Sequence, residues 1–286
     1  MNRSRNDNTR KGNSSRQAKS GQTPKRRIKV NTTGRDKASA PRERKIDESQ
    51  KVRINKYIAD SGLCSRRKAD ELIAAGQVRV NGKQITELGT KIRPSDNVTV
   101  GGDPISYRRK NIYILLNKPK NTISTASDER GRKTVLEGIK TQERIYPVGR
   151  LDRNTTGSLI ITNDGELANR LMHPSYRVER MYIVGLDKPL DVEDARKIAN
   201  GVELEDGKTA PCHLLIDPKE KTRIEMTMTE GKNHEVKRIF AHFGYEVLKL
   251  DRKVFAGISN KGLDRGEYRH LNFKEVQALK KLVKLI

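Results

Sequence analysis

The spacing of apolar residues first becomes regular near residue 52, where it predicts two short helices. In VRINKYIADSG, Ile54, Tyr57 and Ile58 lie three and four positions apart, on one face of a helix that Gly62 ends. In CSRRKADELIAAGQ, a second helix follows Ser65, whose side chain is suited to cap a helix N-terminus. The chain is therefore expected to begin its first folded unit with a pair of helices.

Apolar and polar residues then alternate, as they do in half-buried strands. QVRVNGKQI contains Asn81-Gly82 between two alternating runs, which is typical of a hairpin with a two-residue turn, and NVTVGG adds a short strand. Residues 51–102 are thus predicted to form one small unit. The polar, basic segment 103–110 is predicted to be a linker.

The remainder of the chain, residues 111–286, mixes strand and helix patterns in the way typical of an α+β domain. The main strand patterns are IYILLNKP, SLIITND, VERMYIVGL, TRIEMTMT and YEVLKL. The helix patterns are LDVEDARKIANG, NHEVKRIFAHF and NFKEVQALKKLVKLI. We therefore expect a second, larger domain in which helices flank a sheet.

In residues 1–50 the apolar residues follow neither the spacing of a helix nor the alternation of a strand. This segment contains no Phe, Tyr or Trp, and it carries 15 basic and 5 acidic residues, a net charge of +10. Such a segment cannot bury enough apolar area to offset the entropy of ordering it, so we predict a disordered basic tail. A nucleic-acid-binding arm is favoured over a tail that only aids solubility, because the rest of the chain is basic too.

The charge of the whole chain points to a polyanionic partner. Its 286 residues include 60 Lys and Arg against 36 Asp and Glu, a formal net charge of +24, which favours nucleic acid. No run of about 18 apolar residues and no secretory leader is present, so we expect a cytoplasmic protein without a membrane partner. Cys64 and Cys212 fit reduced thiols of that compartment, and no Cys/His cluster has metal-ligand spacing.

Cations crowd the first turn of the second predicted helix, at Arg66, Arg67 and Lys68. Cations at a helix N-terminus oppose the helix dipole, so this placement favours a phosphate-facing surface over an ordinary solvated helix face. Further cations of the same unit are assigned to this surface, namely Arg53, Lys56, Arg79 and Lys83.

A single carboxylate, Asp152, lies between Arg150 and Arg153 in GRLDRNTTG, just ahead of the strand pattern SLIITND. Neighbouring cations favour the ionised form of a carboxylate, which can act as a nucleophile or a general base. An isolated Asp in a turn is structural in most proteins. On these residues alone, both interpretations stay open.

Other candidate side chains follow in VERMYIV. Strand alternation places Arg180 and Tyr182 on the same face, so the tyrosine shares its surroundings with a charge. A tyrosine in such a place can stack on a planar ring, move a proton or simply fill the core.

The segment NHEVKR is predicted to open a helix with Val236 pointing inward and Lys237 reaching toward Asp152. His234 and His242 lie eight positions apart, which does not match the i,i+4 spacing of paired metal ligands on a helix. We therefore expect these histidines to be polar helix residues or RNA contacts, and we expect no metal site.

Longer segments resemble known families. INKYIADSGLCSRRKADELIAAGQVRVNGK resembles an S4-like RNA-binding domain over residues 52 to about 100. YILLNKPKNTIST, PVGRLDRNTTGSLIITNDGELANRLMHPS, VERMYIV and EGKNHEVKRIFAHFGYEVLKLDR resemble the RsuA/RluB-type ribosomal RNA pseudouridine synthases. The chain departs from that pattern at Asn121, where glycine is usual, at Arg180, where lysine is usual, and at Glu235, where many members have glutamine.

The resemblance implies an S4-like α/β domain followed by a catalytic domain with a mixed, mostly antiparallel sheet and flanking helices. It implies an enzyme that converts a uridine of RNA to pseudouridine without cofactor or metal. Asp152 would be its catalytic acid, as a nucleophile or as the base of a glycal-type route, which the sequence does not separate. Tyr182 would pack on the uracil and assist proton removal from carbon 5, while Lys237 would pair with Asp152.

The same resemblance assigns binding roles to the neighbours of these residues. Val236 would complete an apolar sandwich around the base, and Arg150 would fill the space that the flipped base vacates or bind phosphate. Arg153 would face RNA, as would the cations of the S4-like domain.

The implied partner is ribosomal RNA, with 23S RNA favoured and 16S RNA as the alternative, acted on by a monomer. A second hypothesis is a non-catalytic RNA-binding or ribosome-assembly protein, against which the retention of Asp152, Tyr182 and Lys237 speaks. A DNA-binding regulator is a third, and the chain lacks a helix-turn-helix pattern for it.

Overall fold

The computed structural model describes residues 51–107 and 110–286. The predicted basic tail, residues 1–50, lies outside the described residues, as do Arg108 and Arg109 of the predicted linker. Within the described residues, no helix is both long and apolar enough to span a bilayer.

The first part of the described chain forms the small helix-and-hairpin unit that the sequence predicts. Its elements are β1 (Val52–Arg53), α1 (Ile54–Ser61), α2 (Arg66–Ala74), β2 (Val78–Val80), β3 (Lys83–Ile85), β4 (Lys91–Ile92), β5 (Val98–Val100) and β6 (Asp103–Ile105). Four of the strands form an antiparallel sheet in the order β3-β2-β5-β6.

Local sequence accounts for this unit. Ile54, Tyr57 and Ile58 are buried on one face of α1, against the core that also contains residues of α2 and the sheet. The Ser65 side chain caps α2 by accepting a hydrogen bond from the backbone N–H of Lys68 at 3.1 Å, as predicted. Asn81 and Gly82 both have positive φ, which a two-residue hairpin turn between β2 and β3 requires.

The predicted linker begins with a strand instead. Asp103–Ile105 is β6 and pairs antiparallel with β5. Gly101 and Gly102 both adopt positive φ and so form a second tight hairpin turn, which the polar composition concealed. Pro104 is tolerated because β6 is at the edge of the sheet.

The larger part of the chain is the expected α+β domain. Its elements are β7 (Tyr113–Lys118), β8 (Tyr146–Pro147), β9 (Thr156–Thr162), α3 (Gly165–Met172), β10 (Arg180–Leu186), α4 (Val192–Ala199), β11 (Glu203–Leu204), β12 (Gly207–Lys208), β13 (His213–Ile216), β14 (Arg223–Met228), α5 (Glu235–His242), β15 (Val247–Phe255), β16 (Ile258–Ser259), β17 (Tyr268–His270) and α6 (Phe273–Leu282).

Nine of these strands form one sheet whose main path is β13-β14-β10-β15-β9-β7-β17, with β16 and β8 paired to its members, while β11 and β12 pair with each other. All of its pairings are antiparallel except that of β9 with β15. The prediction of a mixed, mostly antiparallel sheet is therefore confirmed. The parallel pairing is short, since only Thr156 with Asp251 and Gly157 with Arg252 are aligned. Two larger halves of the sheet are therefore joined by two residue pairs.

Strand β9 is buried along its whole length because both of its faces are covered. Ile160 packs in a core with Leu167 of α3 and Leu279 of α6. Leu159 and Ile161 point to the opposite core, which contains the inward face of α5. The continuous apolar run in SLIITND is the sequence signature of this two-sided burial.

Gly157 is predicted to be indispensable at the junction of β9 and β15. Its φ is +110°, and an added Cβ would lie 2.2 Å from the carbonyl oxygen of Arg252 and 2.7 Å from Oδ1 of Asp251. Gly207 has a similar φ of +95° but nothing within 4 Å of its would-be Cβ, so Gly207→Ala is the matched control.

Urea denaturation followed by circular dichroism tests this prediction. Gly207→Ala should lower the free energy of unfolding by about 1–2 kcal/mol, the cost of a left-handed conformation for a residue with a Cβ. Gly157→Ala should cost roughly 1–3 kcal/mol more, because of overpacking. Equal losses in the two variants would show that the junction tolerates a side chain.

Candidate active site

A cavity of about 340 Å³ opens where the turn before β9, strand β10 and the start of α5 meet. It brings together the residues that the sequence analysis assigned to catalysis and substrate binding, namely Arg150, Asp152, Tyr182, Val236 and Lys237. Segments separated by more than 80 residues thus converge on one volume large enough for a nucleobase.

Asp152 is held at this cavity by its own turn and by two side chains from the loop and helix opposite. The backbone N–H of Thr155 donates to the carbonyl oxygen of Asp152 at 3.1 Å, closing the turn that leads into β9. The Asp152 Oδ2 atom lies 3.2 Å from Lys237 Nζ and 3.0 Å from His234 Nδ1. The predicted contact between Lys237 and Asp152 is therefore present.

The two arginines that flank Asp152 in sequence are not its partners among the described residues. Arg150 is exposed and lines the cavity. Arg153 is exposed too, but it is not a lining residue, and its carbonyl oxygen accepts a hydrogen bond from Lys118. Both arginines are placed where RNA could reach them.

His234 corrects an expectation from the sequence. The sequence predicts a polar helix residue or an RNA contact; the structure places His234 at the N-cap of α5 with its ring in contact with Asp152, and contact with RNA stays a prediction. Its backbone has the left-handed values φ 49° and ψ 25°, which a helix pattern does not predict. His242 lies at the other end of α5, so the two histidines do not share a site.

Lys118 is a second residue that the sequence analysis missed. Its side chain is fully buried at the end of β7, and its Nζ donates to the carbonyl oxygens of Pro119, Arg153 and Thr155 at 2.9–3.2 Å. Burial lowers the pKa of this amine to about 8, an effect that the charge of Asp152 partly opposes. Lys118 thereby links the turn that contains Asp152 to β7. In the sequence, the position of a charged residue at the end of an apolar strand could have indicated this role.

The wall beneath Tyr182 is built from two buried arginines. Tyr182 lies across the strand pair from Arg252, and both line the cavity together with Arg180. Arg252 Nε donates to the Ser158 carbonyl oxygen at 2.8 Å, and its guanidinium lies 4.4 Å from the centre of the Phe255 ring. The shared face of Arg180 and Tyr182 is as predicted, whereas Arg252 was missed.

These arginines give the wall a positive charge. Burial lowers the pKa of both guanidinium groups, which nonetheless stay charged because an arginine pKa starts so high. Arg180 Nη1 donates to backbone carbonyl oxygens, including that of Thr229 at 2.8 Å. Arg252 Nη2 is buried and has no hydrogen-bond partner among residues 51–107 and 110–286.

Glu235 is buried at the first turn of α5 and lines the cavity together with Val236 and Lys237. Its Oε2 accepts a hydrogen bond from the backbone N–H of Lys232 at 2.7 Å. Burial raises the pKa of its carboxyl group to about 7, with a further contribution from Glu230. When protonated, this group has an O–H donor beside a carbonyl acceptor, so it resembles the side-chain amide of glutamine more than an ionised carboxylate does.

The predicted RNA-binding cations of the small N-terminal domain all belong to its surface and none lines the Asp152 cavity. Lys56 is half-buried, and the others are exposed, namely Arg53, Arg66, Arg67, Lys68, Arg79 and Lys83. Some make local ion pairs, such as Lys68 with Glu71 at 2.8 Å. Their role in binding RNA stays a prediction.

The raised pKa of Glu235 predicts a pH dependence of stability. Between pH 4.5, the ordinary pKa, and about 7, the folded state binds more protons than the unfolded state, so the free energy of unfolding falls as pH rises. Glu235→Gln removes this ionisation, and its stability relative to the wild type should therefore increase across the same window. Urea denaturation at a series of pH values measures the difference, with the exposed Glu129→Gln as control. The prediction fails if both variants follow the wild-type pH profile.

Comparison with known proteins matches both parts of the chain. The family model described as RNA pseudouridylate synthase matches residues 112–242, and the S4 domain model matches residues 52–98. The ribosomal large subunit pseudouridine synthase B of Bacillus subtilis (strain 168) is 45% identical over 235 residues, which cover 80% of this chain and 96% of the relative.

More distant relatives give the same result. The dual-specificity RNA pseudouridine synthase RluF of Escherichia coli (strain K12) is 37% identical over 234 residues, covering 81% of this chain and 79% of the relative. A crystal structure of a pseudouridylate synthase aligns with a TM-score of 0.59 and 28% identity, covering 80% of this chain and 99% of that one. The chain therefore belongs to the RNA pseudouridylate synthase family and carries an S4 domain ahead of its catalytic domain.

Proposed function

We propose that this enzyme isomerises a specific uridine of 23S ribosomal RNA to pseudouridine, with Asp152 as its catalytic carboxylate. The observation that carries the proposal is the contact of Asp152 with Lys237 and His234 in a cavity that Tyr182 also lines. The name of the Bacillus subtilis relative supports the large-subunit RNA as substrate, in preference to 16S RNA.

The arrangement suits an acid that must be ionised before substrate arrives. Lys237 supplies a cation 3.2 Å from Asp152 Oδ2, and the limited exposure of both side chains strengthens their attraction relative to water. Because these groups are in place beforehand, little reorganisation is needed when charge develops in the reaction. Asp152 can then attack the ribose or remove a proton from it.

The reaction breaks the bond between ribose carbon 1′ and uracil nitrogen 1, and the electron pair leaves with the uracil. The uracil rotates, carbon 5 bonds to carbon 1′, the proton on carbon 5 is then removed, and nitrogen 1 takes up one proton, so that the product is an isomer of the substrate. Tyr182, at the cavity wall, is the group placed to assist that removal. The bond changes balance without an oxidant or a reductant.

Apolar side chains of the cavity fit the base during this rotation. Val236, Met228 and Leu250 line the cavity alongside Tyr182 and can pack against the faces of a flat ring. A uridine within folded RNA must leave its base stack to enter, and Arg150 at the exposed rim is placed to occupy the vacated space or bind phosphate.

The S4 domain supplies binding energy away from the reacting base. Its exposed cations, with Arg66, Arg67 and Lys68 on the first turn of α2, form a surface that complements phosphate groups. With Arg153, they would dock the ribosomal RNA. We assign the enzyme to the cytoplasm, as a monomer that works without a cofactor.

Asp152→Asn tests the catalytic assignment. The amide keeps the shape of the side chain but cannot act as nucleophile or base, so the rate should fall by at least about a thousandfold. Tritium release from a large-subunit ribosomal RNA transcript labelled at carbon 5 of uridine measures the reaction. Asp206→Asn is the matched control, since Asp206 is also paired with a cation of α5, Arg238, but does not line the cavity.

The wild type and the Asp206→Asn control together separate the proposal from its rival, a non-catalytic RNA-binding protein. Release by the wild type and by Asp206→Asn, but not by Asp152→Asn, supports the assignment. If wild type and Asp152→Asn release equally little tritium, the chain is a non-catalytic RNA-binding protein and the proposal fails.

Tyr182→Phe separates the packing role of the tyrosine from its chemical role. The ring remains to pack on uracil, so the Michaelis constant should change little, while the loss of the hydroxyl should lower kcat by about a hundredfold or more. Initial rates of tritium release at a series of concentrations of the labelled transcript, with the transcript in excess over the enzyme, provide both values. A raised Michaelis constant with unchanged kcat would limit Tyr182 to base binding.

A further inference from the structure

The sheet face that points away from Tyr182 is accessible on strands β10, β14 and β15. On this face Ile183 is aligned with Glu225 on one side and Asp251 on the other, and all three are half-buried. In the next row, Gly185 is flanked by Arg223 and Lys249, both exposed. The aliphatic part of the Lys249 side chain packs over Gly185, since a Cβ added to this glycine would lie 3.2 Å from Lys249 Cβ.

A groove of about 490 Å³ occupies this region. Ile183 and Leu250 give it apolar surface, and its walls carry five cationic side chains, namely Lys120, Arg223, Lys249, Lys253 and Arg265. The lining residues include one carboxylate, Asp251, and no aromatic side chain. Its charge is therefore strongly positive.

Asp251 organises part of this cluster. Its Oδ2 lies 2.6 Å from Lys253 Nζ and 2.7 Å from Arg265 Nη2, while Thr156 Oγ1 donates to its Oδ1 at 2.9 Å. Burial acts to raise the pKa of this carboxyl group, but these hydrogen bonds outweigh burial and lower it. Asp251 thus stays ionised and fixes two of the cations in place.

The other three cations are not neutralised within the groove. Arg223 lies 3.7 Å from Asp217, which is not a lining residue. Lys120 and Lys249 form no ion pair with any carboxylate in the part of the chain that the structure describes. Holding like charges together is unfavourable, so an anionic ligand would relieve their repulsion.

The groove adjoins the active-site cavity. Leu250 lines both, and the consecutive residues Thr155 and Thr156 line the cavity and the groove respectively. Strand β9 begins at Thr156, opposite Asp251, so Lys249 and Leu250 extend beyond its first residue. The edge of β15 there is open toward both spaces.

We propose that this groove binds phosphate groups of the RNA backbone next to the target uridine. A row of cations without aromatic side chains suits phosphodiesters and not stacked bases, and such contacts fix the position of a strand. The inference rests on the proposed function, because the nucleic acid is the substrate RNA. It adds to that function a binding subsite on the sheet face opposite Tyr182.

The double variant Lys249→Gln with Arg223→Gln tests the groove. Both side chains are exposed, so the fold should be retained. Filter binding to a large-subunit ribosomal RNA transcript at a series of salt concentrations gives the slope of log affinity against log salt. Loss of two phosphate contacts to single-stranded RNA should make this slope shallower by about 1.4. In tritium-release kinetics the Michaelis constant should rise while kcat is unchanged.

The matched control is Arg196→Gln with Lys281→Gln, which removes the same charge from exposed positions of α4 and α6. Its salt slope should equal that of the wild type. The charge-preserving pair Lys249→Arg with Arg223→Lys should also keep the wild-type slope. Equal slopes for the groove and control variants, or a loss of slope in the charge-preserving pair, would overturn the proposal.

The groove and the catalytic assignment can fail separately. If the wild type releases no tritium but the groove variant alone shows the shallower slope, the groove stands and the proposed catalysis fails. If tritium release is normal and the groove variant matches the control in slope and Michaelis constant, the groove fails and catalysis stands.

Discussion

The active site depends on the short parallel pairing between β9 and β15. Asp152 and its turn belong to the β9 side of that junction, whereas Tyr182 and Lys237 belong to the other side. Two residue pairs align the halves, and Gly157 allows the close approach because a Cβ there would meet the backbone of β15. The contact between Asp152 and Lys237 therefore exists only when the larger sheet is assembled.

The cationic surroundings of Asp152 are the second constraint on the site. Lys237 contacts Asp152 directly, whereas Lys118 donates hydrogen bonds to three backbone carbonyl groups and so stabilises the turn that contains Asp152. Arg252 stays charged in the wall beneath Tyr182. Cationic side chains also line the adjoining groove around Asp251.

Local sequence was sufficient for most of the longer helices and strands and for part of the site, but it did not predict β6 or α3. The hairpin at Asn81-Gly82 and the cap at Ser65 follow from the conformations and hydrogen bonds that those residue types favour over a few positions. Strand alternation placed Arg180 and Tyr182 on one face, as the structure has them. The mixed sheet and the pairing of Lys237 with Asp152 were predicted from the length and order of the segments that resemble the pseudouridine synthase family. No single motif predicts either feature.

The sequence by itself therefore determined the main helices and strands, their apolar faces and the segments that carry the chemistry, because those properties depend on neighbours along the chain. Only the tertiary structure decided that Lys118 would hold the Asp152 turn, that His234 would bend back to the carboxylate and that Arg252 would lie under Tyr182. Each of these contacts joins residues far apart in sequence. Their geometry depends on sheet order and on a left-handed residue at a helix start, and neither leaves a periodic signal in the chain.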